Sequence, residues 1–255
     1  MITSKLKILI IIVSLIIILG VGYFGLKQYK ISQQQRVELQ ILQENLQPDI
    51  SSIVAQWRPR IVYIECEFRY SDGVLYATSA GSAFAAGALN FTNKHILIDE
   101  NGYGPSICYI KYPDDDTFYE VMNNDMQAPY SEYDFAYLIL GMNDNIINLN
   151  SSKYESCYLK KFFGNGVALI GDEIIILGYP TIGSQDDITV TRGIISGYDG
   201  DYYITDAKIE HGNSGGVAIL LKDNCYLGIP SYTISGEAES LARILDGGVI
   251  RRETK

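Results

Sequence analysis

Histidine is scarce in this chain of 255 residues: there are 2, His95 and His211. Any chemistry that needs an imidazole must use one of these positions. Cysteine is sparse too, 4 residues at 66, 108, 157 and 225, with no Cys-x-x-Cys pair. That spacing argues against a zinc ribbon or a thioredoxin-type redox motif. The histidines have no ligand-spaced neighbours, so neither a metal nor a cofactor is expected. Positive charge is in deficit, with a net charge of −10. Such a surface repels phosphates, so nucleic acid is not the expected partner, whereas polypeptides remain open. There is no internal repeat and no low-complexity tract beyond a Gln-rich stretch near residues 33–35.

One long apolar run is present. Ile8 to Leu26 is 19 residues without a charge. As a helix at about 1.5 Å per residue it spans roughly 28 Å, close to the ~30 Å apolar thickness of a bilayer. A transmembrane anchor is the leading expectation, a cleaved signal peptide and a buried helix being the other readings. Lys5 and Lys7 precede the run, and Lys27, Lys30 and Arg36 follow it, so flanking charge barely sets an orientation. A short head at 1–7 before a large body suits a single-pass signal anchor with the body outside the cytoplasm. Residues 27–49 form a polar stalk in which Leu39, Leu42 and Leu46 predict a helix that Pro48 ends.

The body, 50–255, has a different texture. Short β-type runs recur between Gly, Asn and Asp clusters. Strands are expected near Ile61–Phe68, Val74–Phe84, Ser106–Tyr112, Thr117–Met122 and Phe135–Leu140. A second series falls near Glu173–Leu177, Ile188–Ile195, Tyr202–Ile204, Gly216–Leu220 and Tyr226–Ile229. The pattern predicts an all-β fold, with a last amphipathic helix at Glu237–Leu245 ending at Gly247–Gly248. Two readings stand for the cysteines. They form Cys66–Cys108 and Cys157–Cys225 disulfides in an oxidising compartment, or they are four buried small apolar side chains.

Three stretches carry chemistry together: Thr92-Asn-Lys-His95, Tyr133-Asp134-Phe-Ala, and Gly212-Asn-Ser214-Gly-Gly216. They supply a histidine, an aspartate and a serine in that chain order, the order of one of the known Ser-His-Asp triads. A serine hydroxyl is a weak nucleophile near neutral pH. Neutral His95 takes its proton and returns it to the leaving amine, while Asp134 fixes the imidazole tautomer. Glycines around Ser214 let the Gly212 and Ser214 N–H groups converge on a developing oxyanion, where one donor is worth roughly 3 kcal/mol.

With Gly81-Ser-x-Phe84, Thr92-Asn-x-His95, Asp134-x-Ala-x-Leu138, Gly171-Asp172 with Gly178-x-Pro180, Thr191-x-Gly-Ile-Ile-Ser196 and Thr205-Asp-Ala-x-Ile209 before Gly-Asn-Ser-Gly-Gly, the chain resembles the HtrA/Deg type of trypsin-like serine peptidase over about Ile53 to Ile234. The resemblance implies two six-stranded antiparallel β-barrels of chymotrypsin type, at about 58–145 and 155–235, followed by the C-terminal helix at about 237–247. It implies endopeptidase activity on unfolded or extended polypeptides, a role in protein quality control, and a homo-oligomer, a trimer in that family. A catalytically silent module that binds extended peptides or scaffolds a membrane complex is the other reading. By the same resemblance, Ile229, Pro230 and Ser231 belong to a pocket wall that pairs with substrate backbone as an added strand.

Departures from the family pattern are local. Asn213 stands where digestive relatives carry an Asp that pairs with a newly cut N-terminus, so no zymogen clip of that kind is expected. Glu210 and His211 replace Asn and Pro, and Lys208 replaces a small residue. If Lys208 or His211 faces the specificity pocket, an acidic side chain is favoured there; the alternative is that both face solvent. The chain ends 21 residues after Ile234, too few for a PDZ domain, so gating by one is not expected.

Overall fold

The computed structural model describes residues 22, 24–36, 38, 49–129, 132–139, 154–158, 168–179, 187–209, 212–231 and 241–254. The chain divides into two units, Met1–Pro48 and Asp49–Lys255. In the first, residues 24–36 are helical and solvent-exposed (α1). Most of the expected membrane span and the stalk leucines lie outside the described residues. Among the described residues no helix is long and apolar enough to cross a membrane.

The second unit is mostly β. It opens with helix α2 (Ile50–Trp57), whose N-cap Asp49 carboxylate accepts from Ser51 N–H. Seven strands follow: β1 (Ile61–Arg69), β2 (Leu75–Ala86), β3 (Leu89–Thr92), β4 (Ile107–Lys111), β5 (Tyr119–Met122), β6 (Met126–Gln127) and β7 (Ala136–Ile139). They form one antiparallel sheet in the order β5-β4-β1-β2-β3-β7-β6, curled into a nearly closed barrel. Helix α3 (Lys94–Leu97) is a single turn between β3 and β4. The second barrel comprises β8 (Glu173–Gly178), β9 (Thr189–Asp199), β10 (Tyr202–Thr205), β11 (Val217–Leu220), β12 (Cys225–Ser231) and β13 (Ala242–Asp246). It closes in the order β10-β13-β12-β11-β8-β9. Helix α4 (Gly247–Glu253) ends the body.

Two expectations are corrected. The first barrel has seven strands rather than six, because the two-residue β6 pairs with β7 through Met126↔Leu138 and Gln127↔Tyr137. A pair that short leaves no alternation to read. The expected helix at Glu237–Leu245 is also displaced: residues 242–245 belong to β13, while 232–240 lie outside the described residues. Closure of the barrel explains the difference, since β13 bonds β10 on one side and β12 on the other. A helix there would leave both neighbours as bare edges. Gly247 and Gly248 start α4 instead of stopping a helix, with the Asp246 carboxylate accepting from Gly248 N–H at 2.7 Å. A Cβ at Gly248 would lie 2.4 Å from the Tyr158 ring, and one at Gly247 2.7 Å from the Tyr226 ring. Close packing, not helix termination, requires these glycines.

The apolar side chains form three clusters. One fills the first barrel (Val62, Ile64, Phe68, Ile110, Leu138) and one the second (Ile174, Ile176, Ile195, Leu220, Ile244). The third lies between them and includes Trp57, Phe84, Phe135, Ile175, Leu177, Tyr226 and Ile229. Strand β8 shows how this arises. Its Ile174 and Ile176 face the barrel interior, and Ile175 and Leu177 face the seam, so both faces are buried and the run reads as unbroken hydrophobic sequence. Trp57 is fully buried and donates its indole N–H to Asn224 Oδ1 at 2.7 Å. Arg58, just after α2, reaches Asp114 beyond β4 and Asp187 ahead of β9, tying both barrels to the helix. Both cysteine pairs are bonded: Cys66–Cys108 joins β1 to β4, and Cys157–Cys225 joins the segment leading into the second barrel to β12.

Candidate active site

His95 sits on α3, the turn that β3 feeds into, and Asp134 lies just ahead of β7. Strands β3 and β7 are neighbours, with Thr92 opposite Ala136, so the two side chains arrive at the same end of the first barrel. Asn93 fixes the approach by donating its side-chain N–H to the Asp134 carbonyl at 2.8 Å. His95 Nδ1 is 2.8 Å from Asp134 Oδ2, and the His95 backbone N–H donates to Oδ1 at 3.1 Å. Burial raises the Asp134 carboxyl, but bonds from His95 and Ser231 outweigh it and hold the group below its ordinary value. An ionised carboxylate only accepts, so Nδ1 carries the proton and Nε2 is left as an acceptor. The imidazole as a whole is half-exposed.

Ser231 was expected in a pocket wall. Its hydroxyl donates to Asp134 Oδ2 at 2.6 Å, carrying a second-barrel side chain onto the first-barrel carboxylate. Nothing in the local sequence around Ser231 signals this bond, which depends on how β12 crosses the seam. Its neighbour Ile229 is fully buried in the inter-barrel core, and the Pro230 carbonyl accepts from Gly215 N–H at 3.3 Å.

Ser214 lies in the turn 212–216 that leads into β11 and is 4% exposed. This turn is pinned to the first barrel through Ser82 on β2. Ser82 N–H donates to the Ser214 carbonyl at 2.9 Å, and its hydroxyl donates to the Gly212 carbonyl at 2.6 Å. The same hydroxyl accepts from Tyr179 N–H at 2.7 Å, and Thr92 Oγ1 donates to the Ser82 carbonyl at 2.7 Å. Thr92 is three residues before His95. The turn bearing Ser214 and the strand leading to His95 therefore meet on one serine that sequence reading left without a role. A conspicuous Gly81-Ser82 pair is the signal that could have found it.

The glycines of the turn serve close approach as well as conformation. Gly212 and Gly215 have φ of 98° and 83°, a region that L side chains rarely adopt. A Cβ at Gly215 would lie 2.1 Å from the Ser82 carbonyl oxygen and 2.4 Å from Thr92 Oγ1; one at Gly216 would lie 2.1 Å from the Leu177 carbonyl oxygen. The turn can touch both barrels only without side chains there. Asn213 is buried, and its Oδ1 accepts from Thr189 Oγ1 at 3.4 Å, so a neutral partner meets this side chain.

Lys208 is exposed between buried Ala207 and Ile209, and its carbonyl accepts from Thr191 Oγ1 at 2.8 Å. His211 lies outside the described residues. The architecture of two β-barrels is compatible with a chymotrypsin-like fold. The chain matches no protein-family profile and no curated protein.

Proposed function

We propose that the protein is a serine endopeptidase of HtrA-like, trypsin-like type that cuts unfolded or extended polypeptide by an acyl-enzyme route, with residues 8–26 tethering it to a membrane. The observation that carries this reading is the His95–Asp134 pair at 2.8 Å, buttressed by Ser231 and set at the seam where the Ser214 turn is bolted to β2. In this mechanism His95 Nε2 takes the Ser214 hydroxyl proton as Oγ attacks the scissile carbonyl carbon. The Gly212 and Ser214 N–H groups receive the oxyanion. His95 then protonates the leaving amine, the C–N bond breaks, and water repeats the sequence to release the acyl group. Asp134 stays ionised throughout and stabilises the imidazolium. The uncharged run at 8–26 supports the tether, and the disulfide pairs suit a body outside the cytoplasm.

The test is digestion of a permanently unfolded protein by the full chain and by Ser214→Ala. Cleavage by the first and none by the second is expected. An inert wild type that still binds the unfolded chain would point instead to the silent peptide-binding module.

A further inference from the structure

Resting on the proteolytic reading, we infer that the groove beside His95 receives the leaving-group side of an extended substrate and selects positively charged side chains there. Strand β2 bonds β1 along its length, but β3 covers its other edge only from Phe84 to Ala86. The Ser82 N–H and C=O both point away from β1, one to the Ser214 carbonyl and the other to Thr92 Oγ1. By strand alternation the N–H and C=O groups of Ala80 and Thr78 face the same way. Both residues are exposed. Among the described residues, a ready edge for one more strand thus begins where the contact with Ser214 ends and runs along the groove.

The groove encloses about 490 Å³ and is lined by Phe68, Tyr76, Ser79, His95, Asp99 and Glu100 among others. Its apolar floor is aromatic, and its charge is negative. Asp99 Oδ1 accepts from the Asn101 and Tyr103 N–H groups at 2.9 and 2.8 Å, and Oδ2 accepts from the Tyr76 hydroxyl at 2.8 Å. Desolvation raises the Asp99 carboxyl, but these bonds prevail and hold it below its ordinary value. Every one of these donors is neutral, so the carboxylate is fixed in place without its charge being cancelled. Glu100 is exposed beside it. On the other face of the sheet Glu65 and Glu67 stand opposite Ala80 and Thr78, Glu67 being shared with Arg69. Side chains of an added strand alternate between the two faces, so each meets a carboxylate. A Lys or Arg stem also suits the Phe68–Tyr76 floor while its head reaches Asp99 or Glu100.

The experiment uses peptides identical up to the scissile bond that carry Lys, Ala or Glu at the second residue after it. With wild-type full chain at low salt, kcat/KM for Lys should exceed Ala by about tenfold and Glu by more, with the spread shrinking at high salt. Glu100→Lys should bring the Lys and Glu peptides together or invert their order. Equal rates for the three peptides, or a Lys-to-Glu ratio unmoved by Glu100→Lys, overturns the inference while leaving proteolysis intact. If no peptide is cut, the proteolytic reading fails, and binding of the same peptides to Ser214→Ala by fluorescence anisotropy decides this one. Tighter binding of the Lys peptide that Glu100→Lys removes supports it; charge-independent binding overturns it.

Discussion

The two barrels differ in finish, one of seven strands and nearly closed, the other of six and closed. The second is closed: each of its six strands has two neighbours, and its core is Ile and Leu with Ala, the Cys157–Cys225 pair and Tyr203. The first is only nearly closed: among the described residues β3 covers one edge of β2 only from Phe84 to Ala86, and the rim carries the ionised Asp134. Closure removes edges and with them any site for an added strand, so the closed barrel suits a scaffold. The nearly closed barrel keeps an edge and two polar side chains at one rim. Neither barrel holds the candidate site alone. His95 and Asp134 come from the nearly closed one, and the hydroxyls of Ser214 and Ser231 come from the closed one.

Breaking the His95–Asp134 hydrogen bond should have the largest effect. Asp134→Asn should lower kcat by about 10⁴ with the fold retained, because the amide leaves His95 in the wrong tautomer. Stopped assays against near-UV circular dichroism separate loss of chemistry from loss of structure. Next comes the seam. Trp57→Ala should cost about 3–5 kcal/mol, since it empties a fully buried ring from the cluster shared by both barrels. Urea titration should then show the barrels unfolding apart, where wild type unfolds in one step. The disulfides sharpen the contrast. Double Ser variants of either pair should lose about 4 kcal/mol by the chain-entropy estimate, the 68-residue separation of Cys157–Cys225 costing roughly 0.4 kcal/mol more than the 42 of Cys66–Cys108. Equal midpoint shifts, or a larger one for the first pair, would contradict that ordering.

The smallest effect is in acid. Asp134 is held below its unfolded value, so its contribution is fully present above about pH 3.9 and is lost as pH falls through the lower native value. The stability difference between wild type and Asp134→Asn should therefore be flat near neutrality and narrow only in that acid window. A difference that narrows near pH 6 instead would mean another group is responsible.

Much of the body was legible because burial writes itself into alternation. Strands β1, β2, β4, β7 and β8 fall within a residue or two of their expected positions, each having one or both faces against a core. Strand β3 was hidden inside a motif read for its histidine, and β6 is too short for any period. Strand β13 was misread because Ala242-Arg-Ile-Leu-Asp246 fits a helical stripe as well as a strand, and only barrel closure decides. At the site, the His95–Asp134 contact followed from residue type and order. The Ser82 and Ser231 bonds did not, because each joins residues roughly a hundred positions apart through backbone geometry that no local pattern encodes.

The central claim is that Ser214 is an activated nucleophile. Its most direct test is mass-spectrometric mapping of the adduct formed when the full chain is treated with a fluorophosphonate. The account predicts one modified residue, Ser214, with labelling abolished by Ser214→Ala and strongly slowed by His95→Ala. Labelling spread over other hydroxyls at rates indifferent to His95→Ala, or none on a folded chain, would contradict it.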